Sequence, residues 1–384
     1  MQVSGLTDLQ ALRSTIDLQP VDGPDGRVFP PTYPPPEGSN NKAPRHVVET
    51  SRNGDKRVLL DSVASQANRQ EAALVAARDA GLMDFADIRV DLSRSDAGLD
   101  GLWATEMPHR LSDAILRDSE IDGVPFAKSG VGQQVLSATF ADLSVILETS
   151  PTTLLFGCWF SQYSLPRPLK IQRSTASEIW AHNVVLGQAV ASRIDPLGIE
   201  RIQLYQAPDG DWTASEEKAA REKNKPTPFS KRPSEINHGN IAPSIREQGI
   251  TAERITLKWA IPMAAVRRLR FGGGERDAAG QRYIAALGLL ARVLDHAGGY
   301  SLRSRCDLIS SGPVSIDLID RDGAITSQVV KVEDALSLYS KAEAGLREAG
   351  LKLHEKTVAQ PSQKLLDLIE ANRRVQELGE EPSE

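Results

Sequence analysis

The chain has few of the residues on which metal enzymes and disulfide-stabilised proteins depend. Cysteine occurs twice in 384 residues, as Cys158 and Cys306, with neither the CxxC spacing of a metal or redox motif nor the density of a disulfide framework. The six histidines are scattered, and neither HExxH nor GxSxG occurs. We therefore expect two free thiols in a reducing cytosol, with no metal and no cofactor.

Long hydrophobic runs are also missing. The most apolar runs, such as residues 154–160, fall far short of the roughly 20 residues needed to cross a bilayer. The first eight residues have neither the basic region nor the apolar region of a signal peptide. The expectation is a cytoplasmic protein without a membrane partner.

Positive charge and aromatic side chains are both in short supply. The formal net charge is −6, and aromatic residues make up 5% of the chain. A nucleic-acid site would therefore have to be a local concentration of arginine and lysine. The scarcity of aromatics argues against recognition by many stacked bases and favours contact with the backbone of a strand.

What the chain does have is a polar loop flanked by basic segments. The loop, residues 233–244, has a glycine at its centre and two prolines as bounds, and its side chains both donate and accept hydrogen bonds. Its central polar residues are Asn237, His238 and Asn240. A basic stretch at 223–232 precedes it, and Arg267, Arg268 and Arg270 follow on the next predicted helix.

The arginine cluster has two interpretations. Such a cluster is often an ordinary solvated face of a helix. The planar guanidinium group also binds phosphate through paired hydrogen bonds. Further basic residues, including Arg167 and Arg173, occur in turn-like segments without obvious acidic partners. Their presence favours a polyanion site.

A polar face is predicted on the helix that follows residue 61. Ser62, Ser65, Gln66 and Arg69 recur at spacings of one helical turn, and Asn68 lies beside them. This face either docks a ribose or a phosphate, or is simply exposed to solvent.

Two catalytic or cofactor patterns have competing explanations. His109 and Asp113 are four residues apart on a predicted helix and, with His238, suit an acid–base pair or a metal site. Polar contacts or helix-end interactions are the preferred roles of these histidines.

Glycines 272–274 precede a helix, whose N-terminus favours phosphate. Because the Gly-Lys-Ser/Thr ending of a nucleotide-binding loop is absent, we expect a flexible connection.

The predicted elements mix strands and helices with long interruptions, which is typical of an α+β fold. Predicted helices cover 61–80, a segment that begins at Pro108, 132–147, 276–296 and two segments within 332–378. Predicted strands cover 57–60, 153–160, 177–186, 250–261, 302–309 and 314–319. Residues 20–45 are expected to form an exposed loop, and 209–232 a mobile charged insertion.

Six segments, in this order along the chain, resemble one known family. They are LDSVASQANR (60–69), PHRLSDAILRDS (108–119), SPTTLLFG (150–157), SRIDPL (192–197), PSEINHGN (233–240) and RRLRF (267–271). The chain thereby resembles the RAMP-superfamily backbone subunit of the type I-U (also called I-G) CRISPR interference complex, or Cascade.

The resemblance implies a fold and a division of the chain. The fold would be a modified RRM or ferredoxin-like palm with large finger and thumb insertions. The parts would be an N-terminal segment with the proline-rich loop (1–56), an RRM-like RAMP core that includes the charged insertion 207–232 (57–330), and a C-terminal helical extension (331–384).

The resemblance also implies a function without catalysis. Copies of the chain would oligomerise along CRISPR RNA and, with other subunits of the complex, present it for pairing with target DNA. The expected RNA-binding residues are Asn68, Arg69, His109, Arg110, Arg167, Arg173, Asn237, His238, Asn240, Arg267, Arg268 and Arg270. The alternatives are a RAMP-type endoribonuclease that processes CRISPR RNA, with His109 or His238 as general acid–base, and a protein–protein scaffold.

Overall fold

The computed structural model describes most of the chain. The described residues are 3–35, 37–38, 45–95, 97–161, 163, 169–199, 202–222, 225–227, 232–236, 238 and 241–378. They form two compact units: the first comprises Met1–Gly26, Pro30–Asn183 and Ala252–Glu384, and the second comprises Arg27–Phe29 and Val184–Thr251.

The elements follow one another in a mixed order. The helices are α1 (Val63–Asp79), α2 (Ala114–Arg117), α3 (Gly130–Ser137), α4 (Ser144–Thr149), α5 (Pro151–Phe156), α6 (Met263–Val266), α7 (Gly274–Gly298), α8 (Val332–Glu348) and α9 (Gln363–Leu378). The strands are β1 (Ala11–Pro20), β2 (Val48–Thr50), β3 (Lys56–Asp61), β4 (Ile88–Asp91), β5 (Gly101–Trp103), β6 (Ser119–Ile121), β7 (Val124–Pro125), β8 (Cys158–Trp159), β9 (Lys170–Ile171), β10 (Ala176–Arg193), β11 (Tyr205–Gln206), β12 (Trp212–Thr213), β13 (Arg221–Glu222), β14 (Lys225–Pro226), β15 (Ile241–Pro262), β16 (Tyr300–Arg303), β17 (Cys306–Ser310), β18 (Ser315–Ile319), β19 (Ile325–Val329) and β20 (Thr357–Pro361).

The main sheet of the first unit has the strand order β16–β17–β1–β15–β10–β3–β2, and β18 joins β1 to β19. Its centre, β17–β1–β15–β10, places the fourth, first, third and second strands side by side in chain order. Helix α1 comes between the first two of these strands in the chain, and α7 comes between the last two. This is the arrangement of a ferredoxin-like βαββαβ unit, and it confirms the α+β class. The first strand comes from the segment 1–56 that the sequence analysis placed before the core.

The core of this unit forms on one face of the sheet. Strand β1 alternates: Leu12, Ser14, Ile16 and Leu18 are buried, and Arg13, Thr15 and Asp17 between them are exposed, as expected when one face is covered. Helix α7 is buried on nearly all sides and contacts α1, α5 and α8. It also lies so close to the sheet at Gly288 that a Cβ there would be 2.6 Å from Cδ1 of Ile261.

A second, smaller sheet of the same unit has the order β5–β4–β20–β6–β7. Strand β20 lies between α8 and α9 in the chain. It pairs with β4 in parallel and with β6 in antiparallel orientation. The prediction of two helices in the tail is confirmed, but this strand was missed. It is short and ends in Pro361, a residue that usually indicates a loop.

The second unit contains the far parts of β10 and β15 and two small hairpins. Strand β11 pairs with β12, and β13 pairs with β14. The backbone of Gln206 binds both Thr227 and Ala220 and so connects the hairpins. The segment 209–232 therefore contains short strand pairs that its charged composition did not predict.

The prediction of a buried strand at 153–160 is wrong. Residues Pro151–Phe156 form helix α5, with Pro151 at a first-turn position, where proline is favoured because its missing N–H has no role. A short, fully apolar run does not distinguish a buried helix from a buried strand. Only Cys158–Trp159 is extended, and the indole of Trp159 is exposed rather than buried.

Two predicted helices are interrupted. The segment 132–147 divides into α3 and α4, because Asp142 bonds back to Thr139 and its carboxylate caps the next helix at the Ser144 N–H. The helix predicted from Pro108 is only a single 3-10 turn followed by α2. Asp113 caps α2, and Arg110 has a left-handed backbone (φ 52°) that a helix does not admit.

Several local predictions are confirmed. Helix α1 occurs in the predicted segment and is capped by Ser62, whose hydroxyl accepts the N–H of Ser65, the usual role of an N-cap serine. Strand β3, the inner part of β10 and β15, helix α7 and strand β18 occur where the sequence patterns indicate them. The predicted strand 302–309 is instead the hairpin β16–β17.

Candidate nucleic-acid interface

Most of the polar face of α1 is hydrogen-bonded within the fold. The buried carboxylate of Asp61 accepts hydrogen bonds from Ser65 Oγ (2.8 Å), Gln66 Nε2 (2.8 Å) and Arg69 Nε (3.0 Å). Arg69 also donates to the backbone carbonyls of Ser301 and Leu302. Arg69 therefore ties α1 to strand β16, and of the predicted pair only Asn68 is exposed.

Arg110 is likewise committed to the fold. Its guanidinium group binds both oxygens of Glu71 on α1, with Nη2 at 2.9 Å from Oε2, and donates to the carbonyl of Gly157. It also lies over the ring of Phe156. Burial raises the pKa of Glu71, and the hydrogen bonds and charge of Arg110 oppose that rise. The pair joins α1 to the segment that carries the neighbouring His109.

The three arginines after α6 have three different roles. Arg267 donates to the carbonyls of Thr7 (3.1 Å) and Leu9 (2.9 Å). Arg270 pairs with the carboxylate of Asp277 at 2.6 Å. Arg268 is exposed, and with the described residues it forms only long hydrogen bonds of 3.4 Å, to the Ala264 carbonyl and to Gln172. Of these three arginines, Arg268 has the longest hydrogen bonds, so its guanidinium donors are the most available to a ligand.

The glycine run before α7 is occupied by the chain itself. The Oδ1 atom of Asp277 accepts the N–H groups of Phe271 and Gly273. Gly272, Gly273 and Gly274 all have positive φ values, which glycine adopts without strain. A carboxylate thus takes the position that a phosphate would take at this helix N-terminus, so the segment is a built cap rather than a phosphate cradle.

The two histidines considered for catalysis, His109 and His238, lie in different surroundings. The imidazole of His109 is exposed, and the Asp113 carboxylate binds the backbone N–H groups of His109 and Ile115 instead. His238 is exposed in the second unit, where its ring lies edge-on to Trp212. Arg167, Asn237 and Asn240 lie outside the described residues.

Two cations of the first unit, Lys170 and Arg268, line one cavity, and Arg173 follows Lys170 closely in the chain. We call these three residues the basic cluster. Residues of the described part of the chain offer no carboxylate ion pair to any of them. Lys170, Gln172 and Arg268 line one cavity of about 220 Å³, whose other walls are Phe140, Ile171, Ala265 and Leu269. Arg173 is exposed and follows Gln172 directly.

The position of this cavity is fixed by well-ordered contacts on each side. Gln281 of α7 donates to the carbonyls of Arg267 and Leu269, and the N–H of Leu143 donates to the carbonyl of Arg270. On the other side, Gly157 (φ 84°) lies so close to the Arg173 segment that a Cβ there would be 2.8 Å from the Arg173 nitrogen. Hydrogen bonds therefore position the turn after α6 on one side of the cavity, and close backbone packing positions the segment that follows β9 on the other.

Two exposed aromatic side chains accompany the basic cluster. Trp159 pairs with Lys170 across β8 and β9, and the Lys170 ammonium lies 4.8 Å from the centroid of its ring. The side chain of Trp159 is 54% exposed and that of Phe140 is 53% exposed. Sequence reasoning missed both, because it assigned Trp159 to a buried strand and took the low aromatic content as a sign of few stacking contacts.

The described residues contain neither a candidate metal centre nor a membrane-spanning helix. Within the described ranges no group of three or more His, Cys, Asp or Glu side chains is arranged to hold a metal ion. No helix among the same residues is long and apolar enough to cross a membrane. Burial raises the pKa of Cys158 to about 12, so this thiol stays protonated at neutral pH.

Part of the chain matches a known protein family. Residues 12–186 match the family described as CRISPR-associated protein GSU0053. The match supports a CRISPR-associated protein. The matched range includes Phe140, Trp159, Lys170 and Arg173 and ends before Arg268. No curated protein matches the chain.

Proposed function

We propose that this CRISPR-associated chain is a non-enzymatic backbone subunit that binds CRISPR RNA in a type I effector complex. Copies of it would lie along the guide and present it for pairing with target DNA, where base pairing rather than protein supplies sequence recognition. The observation that carries the proposal is the basic cluster. In an acidic chain, three neighbouring cations without carboxylate partners among the described residues are suited to phosphates.

Other observations support the same proposal. The family match covers the strand β1 and the segment that carries Lys170 and Arg173. The strand order is that of a ferredoxin-like unit, as the resemblance to RAMP backbone subunits implies. Within this proposal the phosphate contacts belong to Lys170, Arg173 and Arg268. The guanidinium groups of Arg69, Arg110 and Arg267 are bound within the fold, and that of the exposed Arg270 is paired with Asp277.

Co-purification tests the proposal. The chain is expressed with a CRISPR array and, separately, without one, and the bound nucleic acid is extracted and sized. We expect RNA of discrete length that contains the spacer sequence, and a preparation whose absorbance is dominated by nucleic acid. Protein free of RNA in both cases would contradict the proposal. Incubation with repeat RNA, with and without chelator, tests the endoribonuclease alternative: we expect no defined cleavage products.

A further inference from the structure

We infer that the cavity beside the basic cluster takes one unpaired base of the bound RNA strand. The inference rests on the proposed function and adds a base contact to the phosphate contacts. It comes from the size of the cavity, from the chemistry of its walls and from the aromatic side chains around it.

The size of the cavity suits a fragment of a polymer. Its volume is about 220 Å³, below the roughly 300–1,000 Å³ of pockets that enclose whole small-molecule ligands. A free nucleotide, with its sugar and phosphates, would leave most of its atoms outside. One base of a strand can enter while its sugar and phosphates remain on the surface, next to the cations.

The walls combine apolar and hydrogen-bonding groups in the way that a base requires. Ile171, Ala265 and Leu269 supply aliphatic surface, and Phe140 supplies an exposed aromatic ring. The amide of Gln172 both donates and accepts hydrogen bonds, and its present bond to Arg268 is long at 3.4 Å. Single-stranded RNA is commonly bound by stacking on aromatic rings and by hydrogen bonds to base edges.

The cavity is flanked by cationic side chains that could bind phosphates. Lys170 and Arg268 line the cavity from two separate segments, and Arg173 follows on the same strand segment as Lys170. Trp159, next to Lys170, offers a second exposed ring for an adjacent base. Cations that alternate with aromatic rings are the usual composition of single-strand binding surfaces.

A scan along a short strand tests the inference. Oligoribonucleotides of about 8 nucleotides, within the roughly 4–16 nucleotides bound by single-strand binding folds, carry 2-aminopurine or an abasic site at each position in turn. They are titrated into the wild type, Phe140→Ala and, as a matched control, Tyr33→Ala, another exposed aromatic side chain of the same unit. Circular dichroism checks that each variant is folded.

We expect stacking to quench 2-aminopurine at one register in the wild type and in Tyr33→Ala, but not in Phe140→Ala. An abasic site at that register should weaken wild-type binding roughly 5- to 150-fold, the range of a stacked base, and should weaken Phe140→Ala binding little further. Normal RNA affinity with no sensitive position would overturn the inference and leave the proposed function intact. Quenching of 2-aminopurine in a DNA oligonucleotide of the same sequence, but not in the RNA, would also overturn it. Absence of RNA binding altogether would remove both.

Discussion

Reversing the charge of the basic cluster, with Lys170→Glu, Arg173→Glu and Arg268→Glu combined, is expected to weaken RNA binding and to flatten its dependence on salt. Each phosphate that a cation neutralises releases a counterion from the strand, and the number released sets the slope of log affinity against log salt. None of the three side chains forms an ion pair with a described carboxylate, so their charge is available to a strand. The charge of Arg173 lowers the pKa of the buried Glu71, so circular dichroism and urea unfolding check that the variant is folded.

The magnitude follows from the number of contacts. For a single strand each phosphate contact contributes about 0.7 to the slope, so the loss of three contacts lowers it by about 2. Between 50 and 200 mM salt the wild-type affinity should then fall roughly 20-fold further than that of the variant. The effect should be the same for RNAs of unrelated sequence, because phosphates carry no sequence information.

Fluorescence anisotropy with a labelled RNA, at four salt concentrations, measures both slopes. The matched control is Arg347→Glu, Lys364→Glu and Arg374→Glu combined, three cations that are 71%, 80% and 70% exposed. Each triple variant changes the net charge by three times −2, from −6 to −12. Equal slopes for the wild type and the cluster variant, or an equal loss in both variants, would refute the assignment of the phosphates to this cluster.

Three further predictions concern the frame that holds the cluster. Arg110→Ala leaves the buried Glu71 without its partner, so urea unfolding should show a loss of about 3–5 kcal/mol, against less than about 1 kcal/mol for the exposed Arg347→Ala. Burial raises the pKa of Asp87 to about 6, so the folded state binds this proton more tightly than the unfolded chain does. The free energy of unfolding should therefore fall as the pH rises from about 4 to about 6. Asp87→Asn should remove that part of the pH dependence, measured as urea midpoints. Gly157→Ala places a Cβ at a left-handed position against backbone atoms, and thermal unfolding should show a loss above about 1 kcal/mol; an unchanged midpoint would contradict the close approach.

Local elements could be predicted from the sequence because their causes are local. The Ser62 cap lies beside the first turn of its helix, and the α+β class follows from the order of elements. The run at 154–160 could not be assigned, because apolar side chains are buried equally well on a helix or a strand. For the same reason the exposure of Trp159 could not be predicted.

The roles of the arginines could not be predicted, because their partners are distant in the chain. Arg267 binds carbonyls near the N-terminus and Arg69 binds carbonyls of β16. Neither contact leaves a pattern in the sequence. The sequence pointed to Arg268 and Arg173 as basic residues, but it gave no sign that Gln172 and Phe140 lie with Arg268 at one cavity.

Arg267 and Arg268 are adjacent, yet one is an anchor and the other faces outward. Arg267 binds the backbone carbonyls of Thr7 and Leu9, so the segment around these residues helps to position the neighbouring Arg268. A truncation that removes the first ten residues of the sequence should therefore weaken binding at the proposed RNA surface, although it removes no residue of the basic cluster.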